Sequence, residues 1–250
     1  MKDLLSNIQS DKIPNHVAVI MDGNGRWARK KGKPRIFGHK NGVKAVKETI
    51  EAAGKSGVKA LTLFAFSTEN WNRPKAEVKT LMSLLLSSLK SESKELIENN
   101  IKLQVIGNHE NLPKSVLNGL EKVIEKTKNN DALTLTIALS YGSREEIVNA
   151  FKNISKKVVN KKISIEEIDE NIINSHLYTF TLPDVDLMIR TSGEKRISNF
   201  LLWQIAYAEL HFTNVLWPDF TKDDFYTAIL DYQNRERRYG KTSDQIETSK

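Results

Sequence analysis

Apolar residues along this chain gather in short runs, separated by longer stretches of helical period. Residues 16–21, 60–66, 102–106, 133–139 and 186–189 are rich in Val, Ile, Leu and Phe and read as buried strands. Between them, residues 42–53 place Val43, Val46, Ile50 and Ala53 on one face, and residues 76–97 repeat apolar positions at helical spacing. Residues 111–126, 143–159 and 165–173 follow the same period, and a mixed polar helix over 222–237 closes the pattern. Strand alternating with helix predicts a single α/β domain, with a mostly parallel sheet flanked by helices on both faces. No internal repeat and no linker rich in Gly, Ser or Pro divides it.

Ligands of open α/β sheets sit beyond the carboxyl ends of the strands. Here those ends read Asp22-Gly23-Asn24-Gly25-Arg26-Trp27, Ser67-Thr68-Glu69-Asn70-Trp71-Asn72-Arg73, Tyr141-Gly142 and Arg190-Thr191-Ser192-Gly193-Glu194. At 250 residues, with 39% hydrophobic and 28% charged, the chain can bury a large core, and 12 Gly and 6 Pro are too few for low complexity. The absence of Cys excludes a disulfide scaffold, a thiol nucleophile and a thiolate zinc site. An excess of 38 Lys+Arg over 31 Asp+Glu favours an anionic partner: nucleic acid, a phosphorylated small molecule or an anionic membrane surface. Residues 1–14 lack the apolar core of a secretory signal, and no run approaches the ~18 apolar residues of a membrane span. A cytoplasmic protein that touches a membrane only peripherally, at its inner face, is therefore expected. The lysines of residues 152–162 read as a solvated helix end and loop.

Asp22 follows a strand and precedes two glycines, where loop amides can approach a phosphate, although a simple Asp-Gly turn uses the same residues. A calcium loop is disfavoured by Arg26 and Ala28 at ligand positions, and a dehalogenase-type phosphatase by Ile20. Gly23-x-Gly25-x-x-Ala28 fits a dinucleotide fingerprint, but no acidic residue closes a second strand about 20 residues on. Arg26, Arg35, Arg73, Arg190 and Arg196 fall at or near strand ends, with His39 expected in the same loop as Arg35. Guanidinium forks engage phosphate oxygens in pairs, so this cluster implies more than one phosphate. Asp22, Glu69 and Glu194 among them would repel a continuous nucleic-acid backbone, so no nucleic acid partner is expected. Carboxylates mixed with such cations imply a divalent ion, and Mg²⁺ fits, with Asp22 and Glu209 as candidate ligands; pairing of Glu209 with an Arg is the alternative. Leu81, Met82, Leu84, Leu85, Leu86 and Leu89 cover more than one helix face. They are either plain core or the wall of a hydrophobic tunnel, which a diphosphate carrying a hydrocarbon tail would need.

With these residues the chain resembles the cis-prenyltransferases, most closely the bacterial undecaprenyl diphosphate synthases, also called isoprenyl transferases. The resemblance runs from about His16 to Gly240 through four stretches in order. They are His16-Val-Ala-Val-Ile-Met-Asp-Gly-Asn-Gly-Arg-Trp-Ala28, Gly38-His39-Lys-x-Gly42, Leu61-Thr-Leu-Phe-Ala-Phe-Ser-Thr-Glu-Asn-Trp-Asn-Arg-Pro74, and Asp186-Leu-Met-Ile-Arg-Thr-Ser-Gly-Glu194 continued by Arg196-Ile-Ser-Asn-Phe-Leu-Leu-Trp-Gln204. It implies six mainly parallel strands, a tunnel and a homodimer, with an N-terminal segment over 1–15, the catalytic domain over 16–240 and a flexible tail over 241–250. Asp22 would act through Mg²⁺ with Glu209 as second metal carboxylate, and Asn70 is the residue tied to deprotonation. Gly23, Asn24, Gly25, Arg26, Trp27, Arg35 and His39 would hold the allylic diphosphate, and Arg190, Arg196 and Ser198 that of isopentenyl diphosphate. Ser67, Thr68, Glu69, Trp71 and Arg73 would belong to a mobile segment over the substrates, and Arg238-Tyr239-Gly240 would reach the isopentenyl site, in some members across the dimer. The implied activity is sequential cis condensation of isopentenyl diphosphate onto farnesyl diphosphate. Its product, undecaprenyl diphosphate, is the precursor of the lipid carrier for cell-wall polysaccharide. A synthase of different product length, a non-catalytic partner subunit and a nicotinamide-dependent oxidoreductase are the rival expectations. Lys195 and Ser192 depart from some relatives, and Lys195 adds charge beside Arg196 that would tighten diphosphate binding.

Overall fold

The computed structural model describes residues 4–240, 242, 244 and 245; positions 241, 243 and 246–250 of the expected tail lie outside the described residues. Six strands, β1 His16–Ile20, β2 Ala60–Ser67, β3 Ile101–Ile106, β4 Leu133–Tyr141, β5 Leu187–Arg190 and β6 Glu209–Phe212, form one sheet in the order β3-β4-β2-β1-β5-β6. Every pairing is parallel. The helices are α1 Asn24–Lys30, α2 Arg35–Ser56, α3 Lys75–Glu98, α4 Lys114–Thr127, α5 Ser143–Val159, α6 Glu170–Asn174 and α7 Lys222–Gln233.

Side-chain alternation along the strands divides the core in two. Val17 and Val19, Leu61 and Leu63, and Leu133, Leu135, Ile137 and Leu139 share a cluster with residues of α2, α3, α4 and α7. Ala18, Ile20, Ala138 and Met188 belong to the opposite cluster, which is closed by Val185, Phe200, Leu201 and Ile205. Burial on both faces explains why the strands read as continuous apolar runs. The N-terminal stretch packs onto the first cluster through Leu4, Leu5, Ile8 and Ile13, and Gln9 exchanges hydrogen bonds with Gln233 of α7.

Three elements differ from the sequence expectation. β6 was not marked by an apolar run, because Glu209-Leu210-His211-Phe212 is a four-residue edge strand, half-exposed throughout. The helical period over 165–173 yields only α6, which starts where the Asp169 carboxylate accepts a hydrogen bond from Ile172 N–H at 2.8 Å. The two loops holding Asn24 to Trp27 and Arg35 to His39 are helical: α1 begins at Asn24, and α2 begins at Arg35, directly after Pro34.

The first turns of α2 escaped the apolar pattern because they meet α1 through glycine. A Cβ on Gly38 would lie 1.9 Å from the Asn24 carbonyl oxygen. Gly38→Ala must therefore push α2 off α1, an overpacking expected to cost about 1–3 kcal/mol; urea denaturation monitored by circular dichroism measures it, and an unchanged midpoint would contradict the close approach.

Candidate active site

The chain leaves β1 toward β2 on one side and returns by β5 on the other, so the strand order reverses between β1 and β5. Such a switch point opens a crevice beyond the strand ends. Asp22 projects into it from β1 and Arg190 from the end of β5, with Arg190 Nη2 donating to Asp22 Oδ2 at 2.9 Å. Arg190 is 3% exposed, so its charge needs this anion. Its Nη1 donates to Ser198 Oγ at 2.7 Å and to the Arg196 carbonyl. Burial resists ionisation of Asp22, but the Arg190 hydrogen bond and charge, the Gly23 N–H and Arg26 outweigh it and hold the carboxyl below its ordinary pKa. Arg26 reaches Asp22 at 3.4 Å, Glu194 at 3.0 Å and the Ser192 carbonyl at 3.0 Å. Gly23 sits at φ 108°, and a Cβ there would lie 3.0 Å from Leu216 and Ser192, so both conformation and space require glycine.

Residues 191–205 fold over the crevice with Ser192, Ser198, Asn199 and Leu201 at positive φ. Non-glycine residues hold such angles only where surrounding bonds over-determine them. Asn199 supplies several: its carbonyl accepts from Ser143 N–H, its Oδ1 from Arg144 N–H, and its Nδ2 donates to Glu69 Oε1 at 3.0 Å. Beneath this loop lies the fully buried Glu146, which accepts from Tyr141 OH at 2.5 Å, Gln204 Nε2 at 3.1 Å and Tyr178 N–H at 2.7 Å. Burial pushes the pKa of Glu146 up, those hydrogen bonds only partly offsetting it, and raises that of Tyr141 as well.

From the Asp22 end a cavity of about 1290 Å³ runs down the sheet between α2 and α3. That exceeds the roughly 300–1,000 Å³ of ordinary small-molecule pockets. Its head is lined by Asp22, Asn24, His39, Asn70, Arg73, Arg190, Arg196 and Ser198. Leu63, Leu85, Leu103, Leu135 and Ile137 line its body. One end thus suits a diphosphate and the aliphatic body a hydrocarbon, while Lys47, Glu51, Lys55, Glu92 and Glu95 of α2 and α3 also line the cavity. Asn24 Oδ1, His39 Nε2 and Arg190 Nε are buried polar atoms without a protein partner, and all three residues line this cavity. A deprotonated, one-third exposed Asp22 among arginines fits Mg²⁺, which takes one or two carboxylates and completes its shell with phosphate and water. No cluster of three or more His, Asp or Glu able to cage a metal occurs among the described residues.

Several residues expected at the site are placed elsewhere. Trp27 is buried, donates to Asp219 at 2.7 Å and stacks on Phe37. Trp71 donates to Ser140 Oγ at 2.9 Å and packs edge-on to Phe66. Both brace the wall without lining the cavity. Gly25 lies under Arg35, which pairs with Glu77 at 3.6 Å; Ser67 and Asn70, by contrast, do line the cavity, and form a capping box that starts a 3-10 turn over Thr68–Asn72. Lys195 is exposed on the 191–205 loop.

Glu209 and Arg238 require a correction within one protomer. Pairing sets Glu209 level with Leu187, and Leu187 level with Val17. Glu209 therefore stands near the opposite end of the sheet, level with the second residue of β1, whereas Asp22 lies beyond its last. It pairs there with Arg235 at 2.9 Å. Arg237 pairs with Asp186 just before β5, so Arg238 and Gly240 follow at that same end. Strand direction is the reason: a residue opening a parallel strand cannot reach the groups that follow it. Conversely, Trp217 lines the cavity, its Nε1 donating to the Gly42 carbonyl at 3.0 Å, and no strand-end rule pointed to it. Asn199 had a signal, since it follows Ser198 in the fourth stretch.

Fold and site together suit a ligand with an anionic head group and an apolar chain. The family model described as putative undecaprenyl diphosphate synthase matches residues 20–240, and this chain belongs to that family of prenyl-transferring enzymes. It is 54% identical over 93% of its length to the ditrans,polycis-undecaprenyl-diphosphate synthase ((2E,6E)-farnesyl-diphosphate specific) of Pasteurella multocida strain Pm70, covering 97% of that protein. It is 50% identical over 95% of its length to an isoprenyl transferase of Chlorobaculum tepidum, covering 89% of it. Among solved structures, lavandulyl diphosphate synthase from Lavandula x intermedia in complex with dimethylallyl diphosphate matches at 37% identity and TM-score 0.91, over 92% of this chain and all of that one. A probable undecaprenyl diphosphate synthase from Campylobacter jejuni matches at 39% identity and TM-score 0.75, over 91% of this chain and 99% of that one.

Burial, reinforced by Arg73 and Arg35 against the opposing Glu77, lowers the pKa of His39 from 6.5 to about 4. At neutral pH the ring is uncharged. The unfolded chain binds the proton more readily, so this stability is complete above pH 6.5 and lost as pH falls through about 4. Burial lowers His16 in the same direction. Denaturation at pH 7 and pH 5 should show a loss of roughly 2 kcal/mol from His39 alone, and His39→Gln should flatten the slope; an equal slope in the variant would refute the assignment.

Proposed function

We propose that this protein is a Mg²⁺-dependent cis-prenyltransferase that extends farnesyl diphosphate with isopentenyl diphosphate to undecaprenyl diphosphate. The observation that carries this reading is the cavity itself, with Asp22 and the arginines at its head and aliphatic walls behind them. Arg26, His39 and Arg73 hold the allylic diphosphate with Asn24, its tail pointing down the cavity. Arg190, Arg196 and Ser198 hold the diphosphate of the isopentenyl unit. Asp22 would hold Mg²⁺, which would supply Lewis-acid stabilisation of the leaving diphosphate. The fixed guanidinium groups stabilise negative charge as the allylic carbon–oxygen bond breaks. The double bond of isopentenyl diphosphate forms the new carbon–carbon bond, and a proton leaves its C2 to a diphosphate oxygen. An amide is scarcely basic, and Asn70 Oδ1 already accepts from Ser67 N–H at 3.2 Å, so Asn70 orients rather than abstracts.

A homodimer belongs to the same proposal. Glu209 and the Arg238-Tyr239-Gly240 segment act, in this reading, at the site of a second copy, and the exposed Phe151, Phe180 and Tyr207 offer apolar surface for it. Light scattering should then give twice the chain mass. No described helix is long and apolar enough to cross a membrane; the proposed setting is the cytoplasm, with peripheral membrane contact as product leaves.

The deciding experiment incubates purified protein with farnesyl diphosphate, labelled isopentenyl diphosphate and Mg²⁺, with and without chelator. A chelator-sensitive product of eleven isoprene units is expected, and Asp22→Asn should lower kcat by roughly 10²–10³-fold. No incorporation by folded protein would favour the non-catalytic subunit.

A further inference from the structure

α2 and α3 form the outer wall of the cavity. Among the described residues they are tied by ion pairs at two levels. Near the head, Arg35 meets Glu77 at 3.6 Å. Farther down, Lys47 Nζ meets Glu92 Oε2 at 2.6 Å and Glu95 Oε2 at 4.0 Å. Between these levels the facing side chains, Val43, Val46, Leu84 and Leu85, are half-exposed and line the cavity. Lys47 and Glu92 line it too.

A charged pair is an odd component for the wall of a hydrocarbon tunnel, since leucine would seal it better. Its presence marks where lumen meets solvent, and exposures of 46% and 20% leave both groups hydrated enough to part and re-form. In the lower half of α3, Ser87 and Ser93 donate to the Leu84 and Lys90 carbonyls at 2.8 and 3.3 Å, and Ser91 Oγ donates to Glu92 Oε1 at 2.6 Å, holding the carboxylate that meets Lys47.

We propose that the Lys47–Glu92 pair is a clasp on the α2–α3 seam that determines how long a chain the tunnel retains and when the product leaves sideways. The inference rests on the polyprenyl-synthase reading above. A short chain lies within the aliphatic walls and leaves the clasp shut. A chain that outgrows them presses on the seam, parts the pair and passes between the helices without unfolding either.

The test compares the unsubstituted protein with Lys47→Ala, Glu92→Ala and the exchange Lys47→Glu with Glu92→Lys. Product ladders and the ratio of steady-state to single-turnover rate are the readouts. Each alanine variant should shorten the ladder by at least one isoprene unit and raise that ratio two-fold or more, and the exchange should restore both. A reciprocal variant, Lys47→Cys with Glu92→Cys, carries the only thiols in the chain. Bridging them with a short bis-maleimide should leave the first turnover intact and suppress later ones. Products and ratios identical across all variants, with a normal ladder from the unsubstituted protein, would overturn the clasp alone. No polyprenyl product from the unsubstituted protein would overturn the clasp and the reading beneath it together.

Discussion

One buried guanidinium organises this molecule. Arg190, at the end of a central strand, is almost wholly out of water, and such a charge is tolerable only when paired and hydrogen-bonded. Asp22 supplies the anion from β1, while Ser198 and the Arg196 carbonyl supply acceptors from the loop that follows β5. The β1–β5 register, the strained 191–205 loop and the orientation of Asp22 are therefore coupled. A change at any one leaves a buried charge incompletely satisfied.

The two ends of the sheet are built on opposite principles. At the starts of the strands, polar groups close on one another. Asp186 accepts from Asn15 N–H at 2.7 Å and His16 N–H at 3.2 Å and pairs with Arg237. The His16 ring bonds Pro183 O and Thr62 Oγ1, both at 2.8 Å. At the carboxyl ends, unpartnered polar atoms of Asn24, His39 and Arg190 surround the head of the cavity. Polar side chains thus pair with one another at the starts of the strands, and unsatisfied hydrogen-bonding capacity gathers at the head of the cavity, where a diphosphate would supply partners.

Between these ends, the helices decide what a uniformly apolar sheet face becomes. Strand residues such as Leu63 and Leu135 would normally be sealed by a helix packed directly upon them. α2 is instead held close to α1 by Gly38 at one end and tied to α3 through charged side chains. The aliphatic faces of α2 and α3 consequently look onto open space, which is why the leucines of α3 occupy more than one side of the helix.

The alternating runs determined the α/β class and five of the six strands, because fully buried parallel strands must be apolar on both faces. Strand-end placement likewise made Asp22, Arg190, Asn70 and Arg73 legible, since ligands gather where those strands finish, whereas Ser198 entered only with the family resemblance. β6 and the first turns of α2 were not legible: an exposed edge strand and a helix packed through glycine carry no hydrophobic signal. The wall-bracing roles of Trp27 and Trp71, the approach of Trp217 from a distant loop, and the position of Glu209 beside Arg235 depended on strand register and helix packing. Those are relations between segments far apart in the chain. Local pattern records which residues are buried or charged, and only the assembled sheet decides which of them meet.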